Sequence, residues 1–150
     1  MTLYLNGNFT DSKFEVTDGN GTVKYSAKSI MSLGRRIKVN DEKGEPVLEI
    51  KENFYVVLIS FEVRNPVGKP IATIKRIKGQ KYEVSDTSIC IDGNLKQTEF
   101  TITKKKKEVG KIDYTSSKIC TIDFNNEIEE TLVLAIAFVL YCVKNTSVAL

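Results

Sequence analysis

The sequence predicts a mainly β protein: about twelve antiparallel strands closed into a barrel around one C-terminal hydrophobic helix. Three observations lead there. Leu132–Val143, LVLAIAFVLYCV, is an unbroken apolar run. At helical spacing it covers every side of the cylinder, so the helix must be enclosed. Ahead of it, the chain repeats a hairpin unit at offsets of 23 and 24 positions. Within these units apolar and polar residues alternate, the period of half-buried strands. A sheet closed on itself has no free edges, and eight strands leave an interior that only side chains fill. A helix about 10–12 Å across needs a wider barrel, whose inner face then supplies the apolar wall.

Tyr4 and Leu5 begin a first short strand. The repeat follows as Phe14–Lys28 (FEVTDGNGTVKYSAK), Ile37–Lys51 (IKVNDEKGEPVLEIK) and Phe61–Lys75 (FEVRNPVGKPIATIK). Alternation at Phe14/Val16, Ile37/Val39 and Phe61/Val63 leads into Asp18, Asp41 and Asn65. Gly21, Gly44 and Gly68 then supply the left-handed backbone of a turn. Alternation resumes at Val23/Tyr25, Leu48/Ile50 and Ile71/Ile74, with a slip in the last. Pro46 and Pro70 stand at strand beginnings, where a missing N–H is tolerated. Tyr55–Ser60 is a strand joining the second unit to the third. A fourth, degenerate hairpin runs from Tyr82/Val84 through Asp86 to Ser88–Asp92, turning at Asp92-Gly93-Asn94. A fifth pairs Phe100/Ile102 with Val109–Ile112 across a lysine turn, Lys104–Lys107. Lys118–Phe124 is the last strand.

The helix is predicted over 127–144. Asn126 caps it with Glu129 three residues on, as in a capping box. Glu127, Glu129 and Glu130 suit the positive end of the helix dipole and Lys144 the negative end; Asn145 supplies a left-handed stop. A membrane-spanning helix needs about 20 apolar residues, whereas twelve reach only about 18 Å. That deficit favours enclosure by protein over a tail anchor, and no transmembrane span is expected.

At 150 residues the chain reads as one domain, 1–150. Hydrophobic residues at 41% and charged residues at 27% are ordinary for a globular protein. The net charge of +3 is too weak to imply nucleic acid, and Phe and Tyr without Trp offer no stacking platform among basic residues. The N-terminus has neither the charged nor the apolar region of a secretory signal. Cys90, Cys120 and Cys142 are expected to be reduced core thiols, which fits a cytoplasmic location. There is no histidine, which removes His-based triads, dyads and metal ligands. No phosphate loop and no Cys-x-x-Cys pair is present. Asp18-Gly19-Asn20-Gly21 begins like a calcium loop but lacks its further ligands, so it is read as a turn. No catalytic carboxylate pair stands out, and the expectation is a protein that is not an enzyme and carries no cofactor or metal.

The chain resembles the LURP-one-related family, within the Tubby-like and phospholipid-scramblase superfamily. The resemblance is carried by Lys24–Lys51, Phe54–Lys78, Phe100–Tyr114 and the final strand with its helix, Lys118–Val143. Its most specific parts are Ser32-Leu33-Gly34-Arg35-Arg36-Ile37-Lys38-Val39 and the closing apolar helix. It implies a twelve-stranded barrel wrapped around that helix, in a family whose biochemical role is largely unknown. Tubby-like domains bind phosphoinositides through basic residues on the barrel. Scramblases carry a calcium-binding segment and a cysteine-rich stretch, and neither stands in this sequence.

Two basic clusters are candidate contacts for anionic phospholipid. One is the hairpin tip Lys104, Lys105, Lys106 and Lys107, where each cation near an anionic membrane contributes about 1 kcal/mol. The other is Lys75, Arg76, Lys78 and Lys81, with Arg35, Arg36 and Lys38 on another strand pair, arginine being suited to bidentate phosphate binding. The alternative for both is a solvated surface that keeps the barrel soluble, with Glu42, Glu45, Glu49, Glu52 and Glu62 as neutralising partners of the second. The functional expectation is a non-catalytic intracellular binding or regulatory domain, cytoplasmic or peripheral at a membrane, that contacts anionic lipid headgroups or a protein partner. Scramblase-like lipid transport, or a scaffold in a larger assembly, is the alternative.

Overall fold

A computed structural model describes residues 1–8, 13–32, 34–53, 58–114 and 119–148. Twelve strands follow in chain order: β1 (Thr2–Asn8), β2 (Lys13–Thr17), β3 (Val23–Ser32), β4 (Gly34–Asp41), β5 (Pro46–Glu52), β6 (Ser60–Arg64), β7 (Pro70–Lys78), β8 (Lys81–Val84), β9 (Ile89–Gly93), β10 (Glu99–Lys104), β11 (Lys107–Asp113) and β12 (Ile119–Phe124). Helix α1 (Glu130–Val148) comes last. Each strand pairs antiparallel with the next, and β1 returns to β12 to close the barrel, with Leu3 opposite Ile122 and Leu5 opposite Cys120. Residues 55–57 of the expected Tyr55–Ser60 strand, and Leu33, residue 54 and Lys118 of the motifs quoted above, lie outside the described residues; Leu58 and Ile59 are not in a strand, and β6 begins only at Ser60.

The three repeats fold into one and the same turn. The Asp18 carboxylate accepts the N–H of Asn20 and Thr22, Asp41 that of Lys43 and Glu45, and the Asn65 amide oxygen that of Val67 and Lys69. Gly21, Gly44 and Gly68 each donate to the backbone carbonyl of that Asx residue, at φ of 81°, 80° and 86°. A register shift follows in each pair, after Val16, Val39 and Val63. The extra residue is the bulge that reconciles such a turn with the strand twist.

Helix α1 fills the barrel. Val133–Leu140 is 0–1% exposed, all the way round. The wall is built from inward residues of every strand, such as Val16, Ile37, Ile50, Phe61, Ile74, Ile91, Ile102 and Ile122. The Phe14 ring meets Phe138 edge-on at 5.7 Å and Tyr141 at 5.4 Å. Phe14 and Phe100 lie across glycines on the neighbouring strands: a Cβ at Gly7 or Gly93 would fall within 2.0 Å or 2.6 Å of those rings. Among the described residues no helix is long and apolar enough to cross a membrane.

Several expectations need correction. The helix spans 130–148 rather than 127–144. Its first backbone bond runs from the Val133 N–H to the Glu129 carbonyl, so Glu129, not Asn126, is the capping position. Asn145 lies within the helix and does not stop it. Ile71 faces outward, 57% exposed, and Ala72 and Ile74 take the inner face, which is the slip seen in the repeat. Asp92 and Gly93 remain in β9 and the turn begins at Asn94. Cys90 is exposed on the outer face of β9 rather than in the core.

Candidate functional site

Up-and-down strand order sends alternate turns to opposite ends of the barrel. The turns after β2, β4, β6, β8 and β10 share one end with the start of α1, here the amino pole. The connections after β3, β5, β7 and β9 share the other end with the close of α1, here the carboxyl pole. Lys104–Lys107 lies at the amino pole. Arg35, Arg36, Lys75 and Arg76 lie towards the carboxyl pole. The two basic clusters are therefore not brought together.

At the lysine tip, β10 and β11 turn on two residues, with Lys104 opposite Lys107. Lys105 and Lys106 hold φ of 52° and 67°. Paired positive φ is the type I′ hairpin geometry, which normally selects Asn and Gly. Lys104 Nζ donates to the Glu127 carbonyl at 3.0 Å and Lys107 Nζ to Glu127 Oε1 at 3.3 Å. Lys104, Lys105, Lys107, Asn126 and Glu127 line an open cleft of about 450 Å³. Lys105 and Lys106 are exposed.

The second cluster divides by strand parity. Ile37 and Val39 point inward, so Arg35 does too and Arg36 points out. Arg35 Nη1 donates to the Cys142 carbonyl of α1, while its backbone N–H donates to Glu52 Oε1 at 3.1 Å. It is a fastener between wall and helix, which sets it apart from the outer cations. Arg36 Nε lies 2.9 Å from Glu49 Oε1, and Lys75 Nζ 3.3 Å from Glu83 Oε1. Arg76 Nε donates to the Gly79 carbonyl. Ion pairs this exposed are worth at most about 1 kcal/mol, so an anionic partner can compete for them.

Further fasteners were not anticipated. The Tyr114 hydroxyl donates to the Ala137 carbonyl at 2.6 Å, and Lys144 Nζ donates to the Tyr114 carbonyl at 3.2 Å while standing 5.2 Å above its ring centre. At the helix start, the Tyr25 hydroxyl donates to Glu130, which Lys24 Nζ also approaches at 3.5 Å. Burial pushes the Tyr114 hydroxyl well above its ordinary range; burial and then the Glu130 carboxylate do the same to Tyr25. Burial pushes the Cys120 thiol up to about 12 against a lowering hydrogen bond with Tyr114, and that of Cys142 up to about 11 against the neighbouring Arg35. Both thiols are protonated at neutral pH and are poor nucleophiles. A small recess of about 140 Å³ opens at the amino pole between the rim and the helix start, lined by Leu48, Val63, Ile71, Val84, Glu129 and Leu132 among others.

Fold and surface together define a closed twelve-stranded barrel plugged by its own last helix, with its cations concentrated on outer faces and rims. The chain belongs to the LURP-one-related family, whose sequence model matches residues 1–141. It is similar in fold to a protein from Arabidopsis thaliana solved by X-ray crystallography, with a TM-score of 0.70 over 95% of this chain and 91% of that one. The two are 16% identical, so the likeness speaks for the fold alone. None of the curated proteins matches this chain in sequence.

Proposed function

We propose that this chain is a non-catalytic binding or regulatory domain that contacts anionic phospholipid, phosphoinositides included, through cations on the outside of the barrel. The carrying observation is the filled interior: Val133–Leu140 is sealed from solvent, and Tyr114 and Arg35 tie the helix backbone to the wall. With the inside occupied, partners are left the outer surface. The same plug argues against a lipid path through the barrel, because transport would require the helix to leave its ties. The candidate contacts form two alternative sets, exposed Lys105 and Lys106 at the amino pole and the outer ion-paired Arg36 and Lys75 towards the carboxyl pole, in a protein that is cytoplasmic and peripheral at the membrane. A protein-interaction scaffold is the second reading, favoured by the apolar recess beside Ile71 at the amino pole.

The test is sedimentation of the full chain with phosphatidylcholine vesicles, with and without phosphoinositide, at low and moderate salt. Binding that needs the anionic lipid and weakens with salt is expected. No binding at either salt concentration would reject the lipid reading in favour of the scaffold.

A further inference from the structure

The two poles differ in chemistry. Amino-pole turns mix both signs: Asp18, Asp41, Glu42, Glu45 and Asp86 stand with Lys43 and Lys69, and the connection into α1 adds Glu127 and Glu129. These carboxylates share the pole with the lysine tip, Glu127 in direct contact with it, and would face any anionic surface that approached that end. At the carboxyl pole, three neighbouring connections behave differently. The Arg76 N–H donates to the Ile59 carbonyl at 2.9 Å, which sets the end of β7 beside Leu58 and Ile59. The Gly93 N–H donates to the Gln80 carbonyl at 2.9 Å, which sets the turn after β9 beside the turn after β7. Residues 58–59, 76–81 and 93–97 thus form one continuous arc of the rim. The arc contains Arg76, Lys78, Lys81 and Lys96; the carboxylate at its border is Asp92, 3.9 Å from Lys81 Nζ in an exposed ion pair, which leaves the cations in excess. It also contains Leu58, Ile77 and Leu95, exposed by 58%, 46% and 98%.

Leu95 is held out by a knitted turn. The Asn94 side-chain oxygen accepts the N–H of Thr98 at 2.8 Å and of Glu99 at 3.2 Å, its amide donates to Thr98 Oγ1 at 2.9 Å, and Gln97 takes a φ of 58°. The apolar tip is therefore pre-formed, and little ordering entropy is lost when it is buried. Three apolar tips alternating with four cations on one edge match the chemistry of an anionic bilayer surface. Apolar side chains enter the headgroup–acyl boundary to a depth of about 5–10 Å while cations stay level with the phosphates.

We infer that the barrel docks on an anionic phospholipid bilayer carboxyl pole first, with Leu58, Ile77 and Leu95 as wedges and Arg76, Lys78, Lys81 and Lys96 as phosphate contacts. The inference rests on the lipid reading above and fixes its orientation: the lysine tip then points away from the membrane.

The chain has no tryptophan, so a single reporter is unambiguous. Leu95→Trp and, at the opposite pole, Val67→Trp (87% exposed in the turn after β6) are titrated with phosphatidylcholine vesicles with and without phosphatidylserine or phosphoinositide. The Leu95→Trp emission should shift to the blue and be quenched by brominated acyl chains, while the Val67→Trp emission stays that of water. Ile77→Gln with Leu95→Gln should weaken vesicle binding ten-fold or more at unchanged melting temperature. Lys78→Ala and Lys96→Ala should each cost about five-fold and flatten the salt dependence. Vesicle binding that shifts only the Val67→Trp reporter, or that ignores the rim variants, would overturn this orientation and leave the lipid reading standing. Absence of binding by the native chain to any vesicle would overturn both.

Discussion

Residues 14–75 and 81–113 build the same kind of hairpin by different means. In the first stretch every β-turn that needs a left-handed residue after an Asx has a glycine there: Gly21, Gly44 and Gly68. In the second, Asp86, Gln97, Lys105 and Lys106 occupy positive φ with full side chains. An L-residue in that region costs about 1–2 kcal/mol. The first stretch is locally consistent, with turn chemistry, alternation and bulge all agreeing. The second is strained at its turns, and its tips carry charge or exposed apolar groups. Strain of this kind concentrates where a side chain is wanted at a position that stability alone would give to glycine.

The largest expected effect removes what both stretches wrap around. Ala137→Glu places a carboxylate at a position that is 0% exposed. The penalty of several kcal/mol is comparable to a domain's whole stability, about 5–15 kcal/mol, so loss of folded protein by circular dichroism is expected. Alkaline titration comes next. The Cys120 and Cys142 thiols bind their protons more tightly folded than unfolded, with values raised from 9.0 to about 12 and about 11. Their contribution is whole below about pH 9 and is lost as pH rises from there towards 11–12. A melting temperature that is level up to pH 8 and falls beyond pH 9 is expected; a level profile to pH 11 would contradict the buried placement of both thiols.

Smaller effects address the turns directly. Gly44→Val meets open space but the wrong backbone, so urea unfolding should show a loss of about 1–2 kcal/mol. The reverse change, Lys105→Asn with Lys106→Gly, fits the type I′ turn and should gain about 1 kcal/mol. If both variants were neutral, the distinction between the two stretches would be one of appearance only.

Much of the architecture is legible in the chain. The Asx-to-Gly spacing located three hairpins, and the unbroken run from Leu132 to Val143 required an enclosure that only a wide, closed sheet provides. The turn after β9 was misplaced because Gln97 stands where a glycine would have signalled it. Strand parity separates neighbouring residues. With Ile37 and Val39 inward, Arg35 had to point in and part from Arg36; with Ile89 and Ile91 inward, Cys90 had to point out. Tyr114 left no such signal: its bond to Ala137 depends on how far the helix slides along the barrel, which no local pattern records. The carboxyl-pole arc was hidden for a related reason, since closure of the sheet is what places Leu58, Ile77 and Leu95 side by side.

Pairing of β1 with β12 means that the opening strand finds its permanent neighbour only after more than a hundred further residues have been made. A nascent chain therefore leaves the ribosome as a curved sheet with an uncovered greasy hollow and two raw edges, and the rod that belongs in the hollow arrives last. Contacts so distant along the chain form slowly, and unpaired edges recruit other chains in the meantime. A message cut short before the rod would yield aggregate rather than a smaller barrel.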